Sequence, residues 1–283
     1  MNQAARLPAG ACDCHVHVVG PQDSHPMLAD RHYTPPPASL EQLRAHLAAL
    51  GAARAVIVQP SFYGTDNGLL CDSLKALAGA GRGVAVLDPG IDDAALARLH
   101  ALGVRGLRVN LESVGASSAA GVTAALQTWA GRLRGGGWHL QVYASHAAIA
   151  QAAPDLRRLG LPVVLDHFAM MPPYLSAAEA APIFDLVGSG AAYVKLSAAY
   201  RIGGDAAAVT ALARRLVALR PDRMLWASDW PHTNRTPGAA PTDVSPYREI
   251  ATGSLLAQAT DWLPDPATRR QVLVDNPAAL YGF

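Results

Sequence analysis

Cysteine is scarce in this chain. Cys12, Cys14 and Cys71 make no even framework, and none falls in a Cys-x-x-Cys pair, so neither a disulfide scaffold nor a thiolate metal site is expected. Neither sign of charge is in excess. The 23 Lys and Arg against 22 Asp and Glu give a formal net charge of +1, with no run of like charges, which argues against a nucleic-acid or membrane-surface partner. Residues 1–10 hold no apolar segment of the kind a signal peptide needs, and no uninterrupted apolar stretch is long enough to cross a bilayer. A soluble cytoplasmic protein is therefore expected. No Gly-x-Gly-x-x-Gly follows an early strand and no phosphate-binding loop motif occurs, which speaks against a nucleotide fold. No linker or shift of composition divides the chain, so residues 1–283 are expected to form one domain.

What is present is an apolar, alternating chain. It is 51% hydrophobic and 16% charged, enough for a sizeable core. Eight short runs rich in aliphatic and β-branched residues predict strands at Ala11–Val19, Ala55–Pro60, Gly83–Asp88, Gly106–Leu111, His139–Ala144, Pro162–His167, Ala192–Ala198 and Met224–Trp230. Between them, Ala/Leu/Arg stretches predict helices over Ser39–Leu50, Asn67–Ala80, Asp92–Leu102, Ser118–Arg134, Ala147–Leu159, Ala177–Gly188 and Ala206–Leu219. A long loop, Pro231–Pro246, then leads to helical Tyr247–Trp262 and Pro266–Val274. Strand and helix in alternation imply a parallel sheet, and eight rounds favour closure into an α/β (β/α)₈ TIM-type barrel over an open doubly wound sheet.

In such a barrel, reactive residues belong at the C-terminal ends of the strands. The first strand carries Asp13-Cys14-His15-Val16-His17; strict alternation would turn Asp13, His15 and His17 one way and Cys12 and Cys14 the other, toward the helices. A lone His-x-His is a weak signal, because two residues of this type fall into that spacing by chance often enough. Its weight comes from the other strand ends. Arg108 and Asn110 share a face of strand four, Gln141 and Tyr143 of strand five; strand six ends in Asp166-His167, strand seven carries Lys195 and Ser197, and strand eight ends at Asp229. An ordinary barrel is filled by branched aliphatics, so this many polar ends predicts a polar pocket. Singly, each has a plainer explanation: His167 as a hydrogen-bonded core residue, Lys195 as an ion-pair partner, Asp88 as a cap on the turn at Pro89-Gly90.

The stretches Asp13-Cys-His-Val-His-Val-Val-Gly-Pro21, Val56-Ile-Val-Gln-Pro-Ser-Phe-Tyr-Gly-Thr-Asp-Asn67, Gly103-Val-Arg-Gly-Leu-Arg-Val-Asn110, Val163-Val-Leu-Asp-His167 and Leu225-Trp-Ala-Ser-Asp-Trp-Pro-His-Thr233 run through essentially the whole chain. Together they resemble the amidohydrolase superfamily, and within it the 2-pyrone-4,6-dicarboxylate lactonase-like family. The resemblance implies hydrolysis of a small carboxylated lactone. It assigns Asp229 as the base that activates water and His15, His17 and His167 as the groups that polarise the carbonyl. It places substrate contacts on Tyr33, Ser61, Arg108, Tyr143 and Asn234, with Arg201 a further anchor for a carboxylate. The expected partner is that small molecule, with no nucleic acid and no membrane, and the chain is compatible with a homodimer.

The sequence departs from the family in two places. An arginine expected shortly after strand four is missing from Leu111–Ser118, which sets a sugar-acid or monocarboxylated lactone beside muconolactone and pyrone dicarboxylate as candidate substrates. After His167 the chain reads Phe-Ala-Met-Met-Pro-Pro where the family has Gly-Arg-Pro or similar, so Met170 and Met171 are expected to form an apolar pocket wall. Superfamily relatives with a mononuclear metal often carry another histidine where Tyr143 stands. The expectation is that no cofactor is required; the alternative is one Zn held by His15, His17, His167 and Asp229. Two rival functions remain open at this point: a zinc-dependent decarboxylase of the same superfamily, and a catalytically inactive binding protein on the same barrel.

Overall fold

The structure is a computed structural model and describes residues 6–110 and 119–283. Eight strands alternate with helices: β1 Cys12–Val16, α1 Leu40–Leu50, β2 Arg54–Val58, α2 Gly68–Ala76, β3 Gly81–Ala85, α3 Asp93–Ala101, β4 Val104–Asn110, α4 Ala119–Leu133, β5 His139–Tyr143, α5 His146–Leu156, β6 Val163–Leu165, α6 Ala177–Gly188, β7 Ala192–Leu196, α7 Ala206–Leu219 and β8 Met224–Trp226. All neighbouring strands pair in parallel, in chain order from β1 to β8. Residues just past β8 complete the ring: Asp229 N–H donates to His15 O (3.1 Å) and His17 N–H to Trp230 O (2.8 Å). The result is the (β/α)₈ barrel expected from the eight alternating runs. Among the described residues, no helix is long and apolar enough to cross a membrane.

Helix starts follow local chemistry. Ser39 and Ser176 open α1 and α6 with capping boxes closed by Gln42 and Glu179, and Asp92, Ser145 and Asp205 cap α3, α5 and α7. Each such cap satisfies an orphan backbone N–H and contributes about 1 kcal/mol. Between helices and sheet, Ala55, Ile57, Leu107, Val109, Leu140, Val142, Leu165, Val194, Leu196 and Trp226 pack outward against α-helical residues such as Leu43, Leu47, Leu74 and Ile149. A separate interior cluster joins Val56, Val58, Val84, Val164, Leu225 and Ala227.

Cys12 and Cys14 belong to that interior cluster and not to the helix-facing layer. Strict alternation in β1 fails because the register against β2 shifts between Asp13 and Val16. An extra residue in one strand re-aims every side chain beyond it. Asp13 is consequently turned away from the pocket, where Ser228 N–H donates to its Oδ1 (2.9 Å) and His46 Nε2 lies 3.5 Å from its Oδ2. His15 and His17 remain directed inward.

The chain end also differs from expectation. The segment Tyr247–Trp262 becomes helical only at α8, Thr252–Trp262, because Arg248 N–H donates to His232 O (3.0 Å) and holds the preceding residues on the barrel mouth. Pro266–Arg270 forms α9, residues 271–275 make one wide helical turn, and α10, Asn276–Tyr281, was not expected from the sequence. It carries the fully buried Tyr281 into the interior cluster with Cys12 and Cys14, and the Arg82 Nε–H donates to the Tyr281 carbonyl (3.0 Å).

Candidate active site

The loops after the strands enclose a cavity of about 200 Å³, enough for one small ring, at the C-terminal end of the barrel. Asp229 lies at its base and is fully buried. Its backbone φ of 62° is left-handed, a conformation that Asp tolerates better than most residues. The two oxygens of its carboxylate have different surroundings. Oδ2 accepts from Tyr200 Oη–H (2.6 Å), Arg201 Nε–H (3.0 Å) and Arg201 Nη2–H (2.9 Å). Oδ1 accepts nothing, and three imidazole nitrogens face it: His15 Nε2 at 3.6 Å, His17 Nε2 at 3.7 Å and His167 Nε2 at 3.9 Å. Burial works to raise the pKa of Asp229, but the opposing charge, led by the Arg201 guanidinium, holds the carboxyl well below its usual range. The carboxylate is ionised, and only one of its oxygens is without a partner.

The imidazoles are neutral. Burial lowers His17 and His167 to about 4, and His15 well below its ordinary value. Their tautomers are set from behind. His17 Nδ1 stands 2.7 Å from the carbonyl of Val58, which can only accept, so the proton is on Nδ1 and the bare lone pair of Nε2 faces the cavity. His167 Nδ1 meets the hydroxyl of Ser197 at 2.8 Å, and His15 Nδ1 lies 3.2 Å from Lys195 Nζ and 3.3 Å from Asp166 Oδ1.

Beneath these rings runs a second buried network. Lys195 Nζ donates to Gln141 Oε1 (2.7 Å), Gln141 Nε2 donates to Asp166 Oδ2 (3.1 Å), and Arg108 Nε and Nη2 lie 3.4 and 3.3 Å from the same oxygen. Lys195 and Asp166 are fully buried, and Lys195 stands 3.4 Å from Asp166 Oδ1. Burial lowers the Lys195 pKa, whereas Asp166 is held low against its burial by Lys195, His15 and Arg108. Lys195 is thus the ion-pair partner that its surroundings in sequence suggested.

Each residue expected at the substrate site from sequence does line the cavity: Tyr33, Ser61, Arg108, Tyr143, Arg201 and Asn234. Arg201 differs in its company, because its Nε and Nη2 are directed at Asp229. Asp88 accepts from Gly90 N–H (2.7 Å), as a turn cap should. Met170 and Met171 do not form a pocket wall. Residues 167–170 all have φ between 50° and 56°, a left-handed turn that directs Phe168, Ala169 and Met171 into the helix-facing core, with Met170 packed against it. Tyr200, Thr233, Arg235 and Arg248 were missed. Thr233 ends a stretch already singled out and Tyr200 directly precedes Arg201, but Arg248 has no local signal, since only the chain path brings it to the mouth.

The donor set fits a metal ion in part. Asp229 Oδ1 and His17 Nε2 are bare acceptors converging on one buried point, as ligands of a zinc ion would, and His15 Nε2 joins them in reach. His15 could ligate only with its proton on Nδ1, toward Asp166. A zinc ion held by these residues, with His167 beside them, would lower the pKa of a bound water and polarise a carbonyl.

The closed parallel barrel, with a cavity lined by His17, His167 and Asp229 and with His15 buried against that carboxylate, marks a barrel enzyme whose polar centre lies at the strand ends. The chain belongs to the amidohydrolase family, whose model matches residues 12–283. It is 33% identical to the 2-pyrone-4,6-dicarboxylate hydrolase of Comamonas testosteroni, over 98% of this chain and 91% of that protein. It is 30% identical to the 4-sulfomuconolactone hydrolase of Hydrogenophaga intermedia, over 98% of this chain and 90% of that one. Its fold is similar to an apo crystal structure from Agrobacterium tumefaciens, with a TM-score of 0.83 at 24% identity, covering 98% and 97% of the two chains.

Proposed function

We propose that the protein is a lactonase that hydrolyses a small carboxylated lactone and needs no metal to do so. The observation that carries this is the half-saturated Asp229: one oxygen held by three donors, the other bare among the imidazoles. Two acceptors, Asp229 Oδ1 and His17 Nε2, face each other at 3.7 Å and call for a donor between them. A water molecule supplies two protons to that pair. Its oxygen adds to the lactone carbonyl carbon as Asp229 takes one proton. The developing oxyanion accepts from His167 Nε2–H, whose Nδ1 accepts from Ser197, and from His15 Nε2–H, whose Nδ1 accepts from the Lys195 ammonium. The bond from the carbonyl carbon to the ring oxygen then breaks, and the proton on Asp229 passes to the leaving alkoxide. His17 on this reading positions water and does not polarise the carbonyl.

The two lactone hydrolases at 30% and 33% identity over nearly the whole chain support a lactone substrate. Arg108 at the cavity wall suits its carboxylate. The test is a pH-indicator hydrolysis assay on chelator-treated protein with pyrone dicarboxylate, muconolactones and aldonolactones, with metal content measured alongside. Turnover at undiminished rate without metal is expected. Turnover lost on chelation and restored by stoichiometric zinc would overturn the metal-free mechanism, and inactivity toward every lactone in either form would overturn the lactonase.

A further inference from the structure

The cations that the sequence suggested for the substrate are largely engaged within the protein. Arg108 directs Nε and Nη2 to Asp166, and Arg201 directs Nε and Nη2 to Asp229. Two other arginines line the same cavity farther out. Arg235 and Arg248 are exposed at its mouth, and among the described residues no acid lies within ion-pairing distance of either. Both are held on fixed backbone. Arg248 N–H donates to His232 O (3.0 Å), and its guanidinium lies 4.8 Å from the centre of the Tyr200 ring. The hydroxyl of that ring donates to Asp229 Oδ2. Arg248 therefore stands one aromatic ring away from the reacting carboxylate. Beside Arg235, Arg201 Nη2 donates to Thr233 Oγ1 (3.1 Å), and Thr236 N–H donates to Ser245 Oγ (3.0 Å).

We infer that Arg235 and Arg248 form an anion subsite at the cavity mouth, which takes a second acidic group on the substrate, carboxylate or sulfonate. This rests on the lactonase reading for the reaction but not for the binding. Paired guanidinium groups without internal acids favour a dianion over a monoanion, and two of them at the entrance also draw it in. The substrate class is accordingly a lactone with two acidic groups, one within the cavity and one at the mouth.

The experiment compares wild type with the double variant Arg235→Gln, Arg248→Gln. Both side chains are exposed, so an unchanged melting temperature is the control for folding. The variant is expected to lose about tenfold or more in kcat/KM on a dianionic lactone, through KM, while losing at least about fivefold less on a monocarboxylated one, as for removed charge-assisted contacts. Equal losses on both, or a loss confined to kcat, would overturn the subsite. Calorimetry with glutarate and butyrate runs in parallel and needs no turnover. Wild type should prefer glutarate by about tenfold and the variant should not; the same preference in both proteins overturns the subsite even if the lactonase stands. If wild type opens no lactone yet the glutarate preference depends on these arginines, the lactonase has failed and the subsite has not.

Discussion

Asp229 and Asp166 are both fully buried carboxylates at the ends of barrel strands, and each is flanked by an arginine and by His15. Composition alone would not separate them. Asp166 has Oδ2 engaged by Gln141 and Arg108 and Oδ1 between His15 and Lys195, with the interior of the barrel below it. Asp229 has three donors crowded onto one oxygen and leaves the other toward the cavity. A buried carboxylate becomes a candidate base when one oxygen is held for orientation and the second is free for a reactant. With both oxygens enclosed, it orients its neighbours instead.

The comparison can be broken at its sharpest point by Asp229→Asn, which keeps the shape and removes the carboxylate proposed as the base. A loss of about 10²–10⁴ in kcat is expected, with the far-ultraviolet circular dichroism of the folded protein retained. Comparable turnover in the variant would remove Asp229 from that role. Lys195→Met should act on the other centre, because it leaves Asp166 short of a buried partner. Urea unfolding should show a loss of about 3–5 kcal/mol, larger than for Asp229→Asn. The variant also frees His15 Nδ1 for Asp166, so it should bind zinc more tightly than wild type, measured by chelator competition.

Acid should then separate the imidazoles from the carboxylates. His17 and His167 are lowered to about 4 and His139 to about 3, from 6.5 in an unfolded chain. As pH falls below 6.5 the unfolded chain takes up these protons and the folded one does not, so stability present above pH 6.5 is lost toward pH 4. The loss is on the order of 3 kcal/mol for each of His17 and His167. Asp166 and Asp229, both held low, add a second loss only below their unfolded value of 3.8. Flat stability between pH 6.5 and 4.5 in denaturant titrations would contradict the buried neutral rings. The smallest effect is expected from Tyr200→Phe. It takes one of three donors from Asp229 Oδ2 and should lower kcat by about tenfold or less, since Arg201 still orients the carboxylate.

Most of the barrel was legible because the chain repeats one local decision eight times. Every predicted strand overlaps an observed one, and the seven helices between them fall where Ala/Leu-rich stretches follow capping residues such as Ser39 and Asp205. The cavity was legible as well, since positions at parallel strand ends must converge when the sheet closes. Strand lengths were less so. Met224–Trp230 ends as a strand at Trp226, since Ser228 and Asp229 turn to meet β1. The shift in β1, which put Cys14 inside and Asp13 outside, has no mark in a run of alternating residues.

The amino-acid sequence by itself determined the parallel barrel, the end of it that carries the cavity, and the set of imidazoles and carboxylates found there. Periodicity, capping and strand-end polarity are local properties, written within a few residues of where they act. Tertiary structure alone decided which oxygen of Asp229 is free, which nitrogen of His17 carries the proton, and which arginines remain for a ligand. Those depend on partners brought together from distant stretches: Val58 behind His17, Arg201 on Asp229, and Arg248 over Tyr200. Hydrogen bonds and ion pairs saturate, and which groups are left unsaturated is known only once every neighbour is in place.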